Sequence, residues 1–435
     1  MTPAARLAAT AELIAAIEEQ PRRPADATAN DWFRARRFIG GGDRRVIAER
    51  TWAIVRQRIR LDWHLDRVNA EPTARLLVAV HLMLAEGVTL QAIDQAFPGG
   101  QYALNQLDRS ERRVLSGIAG RQLIHPGMDE AVRLNIPDWL LPDFQERFGD
   151  SLAAESAAMD QPAPLDLRAN LLRGTREEAI TSLAAEGIEA APTRYSPWGL
   201  RVAERKPVTA TTAFKDGLIE IQDEGSQLIA LLADARPGMR VADYCAGAGG
   251  KTLAMAATMG NRGHIVACDT SVPRLDGAAK RLHRAGVHNA ERHLLISGDK
   301  WIKRRAKQFD RVLVDAPCTG TGTWRRNPDA RLRTTPTDLA ELAAMQHEIL
   351  DRAAELVRAG GRLIYATCSL LRTENEAQME RFLGAHAGFV PVPLADLWTT
   401  LRPDVPPPGE GPWLALSPAR HGSDGFFAAV LERRA

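Results

Sequence analysis

Cysteine, tyrosine and lysine are scarce in this chain of 435 residues, and no long apolar run interrupts it. The four cysteines, Cys245, Cys268, Cys318 and Cys368, stand 23, 50 and 50 positions apart. That spacing holds no short Cys pair, so a zinc ribbon or finger is excluded and no metal is expected. The chain is expected to be cytoplasmic, and that compartment argues against disulfides. No stretch approaches the ~18 apolar residues of a membrane span, so no membrane partner is expected. The amino-terminal "MTPAARLAATAELIAAIEEQ" carries Glu12, Glu18 and Glu19 and reads as an amphipathic helix, not a signal peptide. Formal charge is only +2, so attraction to nucleic acid must come from local clusters. Lysine is confined to Lys206, Lys215, Lys251, Lys280, Lys300, Lys303 and Lys307, and arginine supplies the remaining positive charge.

What is present falls into three stretches. Residues 1 to about 125 read as all-helical: "GDRRVIAERTWAIVRQRI" puts Ile47, Ile54, Val55 and Ile59 at helical spacing. "TARLLVAVHLMLAEG" is a more buried helix in which His81 reads as a satisfied core histidine, and "DRSERRVLSGIAG" has an acidic start and a glycine stop. Residues 126–215 are punctuated by proline in "IPDWLLPDF" and "DQPAPLD", which marks connecting segments before a small α/β module. From 216 onward strands expected at 240–245, 264–269, 292–297, 310–316, 361–367 and 426–432 alternate with helices at 274–285, 338–358 and 373–384. Apolar strands separated by helices predict a mostly parallel sheet covered on both faces, with ligands beyond the carboxyl ends of its strands.

At one such end lies "RVADYCAGAGGKT", a strand running through a glycine-rich turn into a helix. The backbone from Cys245 through Ala246, Gly247, Ala248, Gly249, Gly250 and Lys251 would approach a ligand closely, beside free helix N–H groups. Asp269 ends the next strand, where an acid accepts from ribose hydroxyls, and Asp299 follows the third strand, suited to an adenine edge. A dinucleotide fingerprint would need a third glycine where Thr252 stands, so S-adenosyl-L-methionine is favoured over a nicotinamide cofactor.

Two further strands each end in a thiol: "DRVLVDAPCTGTGT" in Cys318 and "YATCSLLRTENEAQ" in Cys368. With "DYCAGAGGKT" and "IQDEGSQL" (221–228), these motifs resemble the Nop/Sun family of RNA cytosine-5 methyltransferases over roughly residues 216–435. The helical stretch is similar, more faintly, to the NusB-like RNA-binding domain that precedes the catalytic part in the bacterial ribosomal RNA small-subunit methyltransferase B group. The resemblance implies a Rossmann-like class I methyltransferase domain with a seven-stranded, mostly parallel sheet. It also implies methyl transfer to carbon 5 of cytidine through a covalent cysteine–cytosine adduct. A thiolate suits that step because it is strongly nucleophilic and later leaves easily.

Carried over residue by residue, the resemblance assigns the attack on carbon 6 to Cys368 and the release of the product to Cys318. Asp315 would hydrogen-bond the cytosine ring, stabilising charge that develops there. Lys251 would orient Asp315 or the cofactor. Cytosine-5 DNA methyltransferases use the thiol of their proline–cysteine pair as the nucleophile; a second thiol after a later strand belongs to the RNA enzymes. The family usually has alanine–proline–glycine–glycine where this chain has Gly247-Ala248-Gly249-Gly250, a departure that leaves the loop freer.

Basic residues interleaved with tryptophan in "TWRRNPDARLR" (Trp324, Arg325, Arg326, Arg331, Arg333) and "KWIKRRAKQFDR" (Lys300, Trp301, Lys303, Arg304, Arg305, Lys307) suit phosphate contact and base stacking. Extracting the target base costs about a few kcal/mol, so unpaired or locally opened RNA is the expected partner. The chain is expected to act as a monomer, most simply on small-subunit ribosomal RNA. A transfer-RNA target and a non-catalytic RNA-binding assembly factor are the alternatives.

Overall fold

The computed structural model describes residues 1–434 except Arg205 and Ser297, and contains two compact units. The first comprises Met1–Gln161 together with Trp324–Thr335. It is helical throughout, from Pro3–Glu18 to Leu152–Met159. The helix Ala74–Leu84 runs through its core, with Leu77, Val78, Ala79 and Val80 fully buried, and starts where the Thr73 hydroxyl accepts the Leu76 N–H. Asp108 and Glu111 form a reciprocal capping box at the start of Arg109–Ile118, the acidic start anticipated from its sequence. Burial drives the His81 pKa down to about 4, so the ring is neutral; its Nδ1 finds no partner among the described residues.

Three expectations for this region are corrected. The single helix expected around Ile47–Ile59 breaks at Gln57 into Gly41–Arg56 and Arg58–Asp66, leaving Ile59 only half-buried. The helical region does not end near residue 125. Glu130–Leu134, Leu141–Phe148 and Leu152–Met159 follow, because Pro142 occupies the first turn of its helix, where a missing N–H removes no bond. The third concerns "TWRRNPDARLR", expected at an RNA-facing rim. Trp324 is 1% exposed and stacks on Phe144 with centroids 5.3 Å apart, while the Arg331 guanidinium lies over the Trp324 ring at 4.7 Å from its centroid. Arg331 also pairs with Asp160 at 2.8 Å, which in turn holds Arg60 at 2.7 Å. Trp324, Arg325 and Arg331 are core residues of the helical unit.

The second unit comprises Pro162–Thr323 and Pro336–Ala435. Its smaller sheet holds β1 (Leu165–Ala169), β2 (Ala190–Pro192), β3 (Gly199–Val202) and β4 (Ile219–Ile221), all antiparallel in the order β2-β3-β1-β4. The larger sheet contains β5 (Arg240–Asp243), β6 (His264–Asp269), β7 (Ala290–Leu294), β8 (Phe309–Asp315), β9 (Val357–Thr367), β10 (Phe389–Pro391), β11 (Leu414–Leu416) and β12 (Phe426–Arg433). Its path is β10-β12-β9-β8-β5-β6-β7, with β11 paired to β12, so among the described residues it has eight strands, one more than expected. Ser297, the end of one expected strand, lies outside the described residues.

Strands β5 to β9 are mutually parallel, and β12 runs antiparallel to β9. Val312, Leu313 and Val314 in β8 and Leu363, Ile364, Tyr365 and Ala366 in β9 have no exposed surface, as helix-covered parallel strands require. The chain moves outward from β5 to β6 and β7 on one side, then returns to β8 and β9 on the other. The carboxyl end of β5 is therefore the switch point at which such sheets open a ligand crevice.

Candidate active site

The two thiol-bearing turns come together because β8 and β9 pair in parallel with Asp315 level with Ala366. Each strand then leaves the sheet on the same side, and the Cys318 and Cys368 Sγ atoms lie 3.4 Å apart. Polar bonds fix this juxtaposition. The buried Glu374 carboxylate accepts the Thr319 N–H at 2.9 Å, the Thr319 hydroxyl at 2.5 Å and the Gln346 side-chain amide at 3.0 Å. Gln346 also donates to the Pro317 carbonyl at 2.9 Å, so both neighbours of Cys318 are tied down. On the other turn, Asn375 accepts from the Thr367 hydroxyl and donates to the Ser369 carbonyl. Gly322 donates its N–H to the Cys368 carbonyl, and a Cβ there would sit 2.2 Å from the Gly425 carbonyl oxygen, so only glycine fits.

Beside the thiols, Lys251 Nζ meets Asp315 Oδ2 at 2.5 Å. Burial works against the Lys251 charge, but Asp315, Asp243 and Cys368 outweigh it and raise its pKa. The Cys318 thiol is pushed well up, first by its hydrogen bond with Cys368, then by burial and the negative charges of Cys368 and Glu374. Burial also pushes up Cys245 and Cys268, the latter sealed inside β6.

A cavity of about 730 Å³ opens at this rim. Cys245, Ala246, Gly247, Ala248, Gly250, Lys251, Asp269, Asp315, Cys318 and Cys368 line it. Asp269 Oδ2 accepts the Gly247 N–H at 2.8 Å and Oδ1 accepts that of Ser271, which leaves lone pairs for a ribose. Two expected site residues do not line the cavity. Gly249 is buried, supplying φ +77° at the helix start, and a Cβ on it would press to 3.1 Å from Ala278. Asp299 instead accepts the Trp301 N–H and pairs with His293 at 2.8 Å, partners that hold its carboxyl below the usual range. Trp301 itself is buried against His293, so it offers no stacking face, while Lys300, Lys303, Arg304 and Lys307 remain exposed.

Among the lining residues that sequence reasoning overlooked, Asp243 and Gln222 carry polar atoms aimed at the cavity's chemistry. The buried Asp243 receives the Thr252 hydroxyl on Oδ2 at 2.6 Å, yet among the described residues neither its Oδ1 nor Gln222 Oε1 has a partner. Two orphaned acceptors in a cavity call for a ligand rich in N–H donors, which the ammonium of a methionine moiety supplies. The clue lay in "RVADY", where an acid interrupts an apolar strand just before the glycine turn.

Comparison with known proteins matches this geometry. A family model described as 16S rRNA methyltransferase RsmB/F covers residues 230–432, and one for the RsmF/B-like ferredoxin-like domain covers 136–209. The probable ribosomal RNA small subunit methyltransferase B of Synechocystis sp. is 30% identical over 414 residues, spanning 90% of this chain and 91% of that protein. The chain belongs to the RsmB/F family of rRNA methyltransferases. The ribosomal RNA small subunit methyltransferase B of Pseudomonas syringae is 34% identical over 379 residues, covering 83% and 81% of the two chains. Among solved structures, PH0851 aligns over 100% of this chain and 99% of its own, with TM-score 0.80 and 26% identity. A methyltransferase homolog protein from Pyrococcus horikoshii aligns over 70% and 97%, with TM-score 0.60 and 28% identity. This chain is thus an RNA methyltransferase of Rossmann-like fold, and the orphaned acceptors beside the glycine turn fit the ammonium of S-adenosyl-L-methionine.

Proposed function

We propose that this chain methylates carbon 5 of a cytidine in small-subunit ribosomal RNA, with Cys368 as the transient nucleophile and Cys318 as its partner. The observation that carries the reading is the 3.4 Å separation of the two sulfurs beside the Lys251–Asp315 pair. The Cys368 thiolate adds to carbon 6, and the electron pair displaced from the 5,6 double bond makes carbon 5 nucleophilic toward the cofactor's electrophilic methyl. Asp315 and Lys251 face the charge that this addition places on the ring. A base then removes the proton from carbon 5, and the electrons of that C–H bond restore the double bond and expel Cys368 as thiolate.

The physical state of Cys318 supports its place in the later step. Before attack, its bond to Cys368 and the neighbouring negative charge favour the protonated thiol. Once Cys368 is a thioether, that bond and the Cys368 charge are gone, and Cys318 becomes easier to ionise. A base competent only after the adduct forms would avoid premature release. The names of the curated relatives favour ribosomal over transfer RNA. The exposed basic stretch Lys300–Lys307 and the helical unit are the RNA-contacting surfaces in this reading, in a cytoplasmic monomer. The test is adduct trapping on small-subunit ribosomal RNA with S-adenosyl-L-methionine. Cys318→Ala should accumulate a covalent protein–RNA complex, Cys368→Ala should form none, and absence of any complex in the first variant would remove the division of roles.

A further inference from the structure

Its composition makes the glycine turn an intrinsically loose part of the cofactor site. Three of the four residues from Gly247 to Gly250 are glycine, which forfeits the most conformational entropy on ordering. Two of its backbone groups are held from within the sheet region: Gly247 N–H by Asp269, and Gly249 N–H by the Ala246 carbonyl. The tip between them, Ala248, is exposed, and its carbonyl accepts Arg281 Nη1 at 2.9 Å.

That arginine is itself anchored. Its Nε and Nη2 reach Glu220 Oε2 at 3.3 and 3.0 Å, and Glu220 is 2% exposed in β4 of the smaller sheet. Glu220 also holds Arg284 and stands level with the buried Arg168 in the β1–β4 pair. Arg281 lies on the helix Val272–Ala285 one turn beyond Ala278, the residue against which Gly249 packs. One helix face therefore grips the turn at two successive points.

We propose that Arg281, held by Glu220, is a positioning residue that orders the cofactor turn, doing through a side chain what a proline at position 248 would do through the backbone. Ala248 is not among the residues of positive φ, and no backbone bond uses its N–H among the described residues, so a proline there would remove no backbone hydrogen bond. The inference rests on the cofactor alone, and is independent of which base or RNA is methylated.

The test is calorimetric titration of the full chain with S-adenosylhomocysteine, a readout that needs no RNA and no turnover. Arg281→Met should weaken binding about three- to ten-fold, the size of one lost charge-assisted hydrogen bond at a partly exposed site. Its Gly247 and Gly249 amides should exchange faster with solvent while the melting temperature stays near wild type. Arg284→Met removes another guanidinium from the same Glu220 but touches no part of the turn, and should bind like wild type. Arg281→Met combined with Ala248→Pro should recover most of the lost affinity. The proposal is overturned if Arg281→Met binds normally, if Arg284→Met weakens binding equally, or if the proline restores nothing. Loss of cytosine methylation with these binding ratios intact would sink the proposed reaction and leave the clamp standing.

Discussion

Glu374 accepts the backbone N–H of Thr319 at 2.9 Å, joining the turn that follows β9 to the turn that follows β8. Thr319 is adjacent to Cys318, and Glu374 stands six positions beyond Cys368, so one buried carboxylate sets the distance between the two sulfurs.

That relationship makes the thiol pair oxidisable. A disulfide needs the sulfurs at about 2.05 Å, a short approach from 3.4 Å. Peroxide treatment of the purified chain should oxidise one thiol to a sulfenic acid, which the other attacks with loss of water. The product would be a Cys318–Cys368 disulfide reversible by dithiothreitol. Glu374→Ala leaves the Thr319 N–H and hydroxyl and the Gln346 amide short of a partner. It should lower stability by about 3 kcal/mol and slow cross-linking several-fold. Peptide mapping under non-reducing conditions is the check, and a pair that forms equally fast in both proteins would show that Glu374 does not set the spacing.

Asp243 supplies a pH dependence of definite sign. Burial raises its carboxyl from 3.8 to about 6. Between those values the folded chain holds a proton that the unfolded chain has released, so this group's contribution to stability falls as pH rises through the window. The cumulative loss is about 3 kcal/mol above pH 6. Asp243→Asn should therefore melt higher than wild type at pH 8, with the gap closing toward pH 4. It should also bind S-adenosylhomocysteine more weakly, because a carboxylate facing the ligand's ammonium is lost. Melting curves of both proteins at pH 4.5 and 8 decide this, since other carboxylates cancel in the difference; an equal gap at both values would contradict it.

The parts of this molecule written locally are legible in the sequence. Strands β8 and β9 carry the apolar runs Val312–Val314 and Leu363–Ala366 and end in polar turns, which is enough to put both thiols at the rim. What depends on distant partners is misread. The basic and aromatic composition of Trp324–Arg333 suits RNA and suits burial equally, and only Phe144 and Asp160, far away in sequence, decide for burial. Glu374 and Asn375 lie inside the polar run that follows Cys368, but nothing local shows that one of them braces the opposite turn.

The Lys251–Asp315 pair should respond asymmetrically to loss of either partner. The Lys251 side chain is 10% exposed and that of Asp315 31%. Lys251→Met leaves a carboxylate that water can reach, and should lower stability by about 1 kcal/mol or less. Asp315→Asn strands a buried ammonium and should cost about 3 kcal/mol. Chemical denaturation of the two variants beside wild type measures both, and equal losses would mean that Lys251 can turn outward to solvent.

The two basic stretches, alike in composition, should separate by function. Trp324→Ala removes a buried ring stacked on Phe144 and should lower stability by about 3–5 kcal/mol. Lys300, Lys303 and Lys307 are exposed, so replacing all three with alanine should change stability by less than about 1 kcal/mol. Each lysine that neutralises a phosphate releases counterions, so the triple variant should bind RNA more weakly and with a shallower salt dependence. On single-stranded RNA the log–log slope should fall by roughly 0.7 for each phosphate no longer neutralised. Filter binding across a salt series, beside thermal melts of both variants, measures this. An unchanged salt slope in the triple variant would place the RNA path elsewhere on the chain.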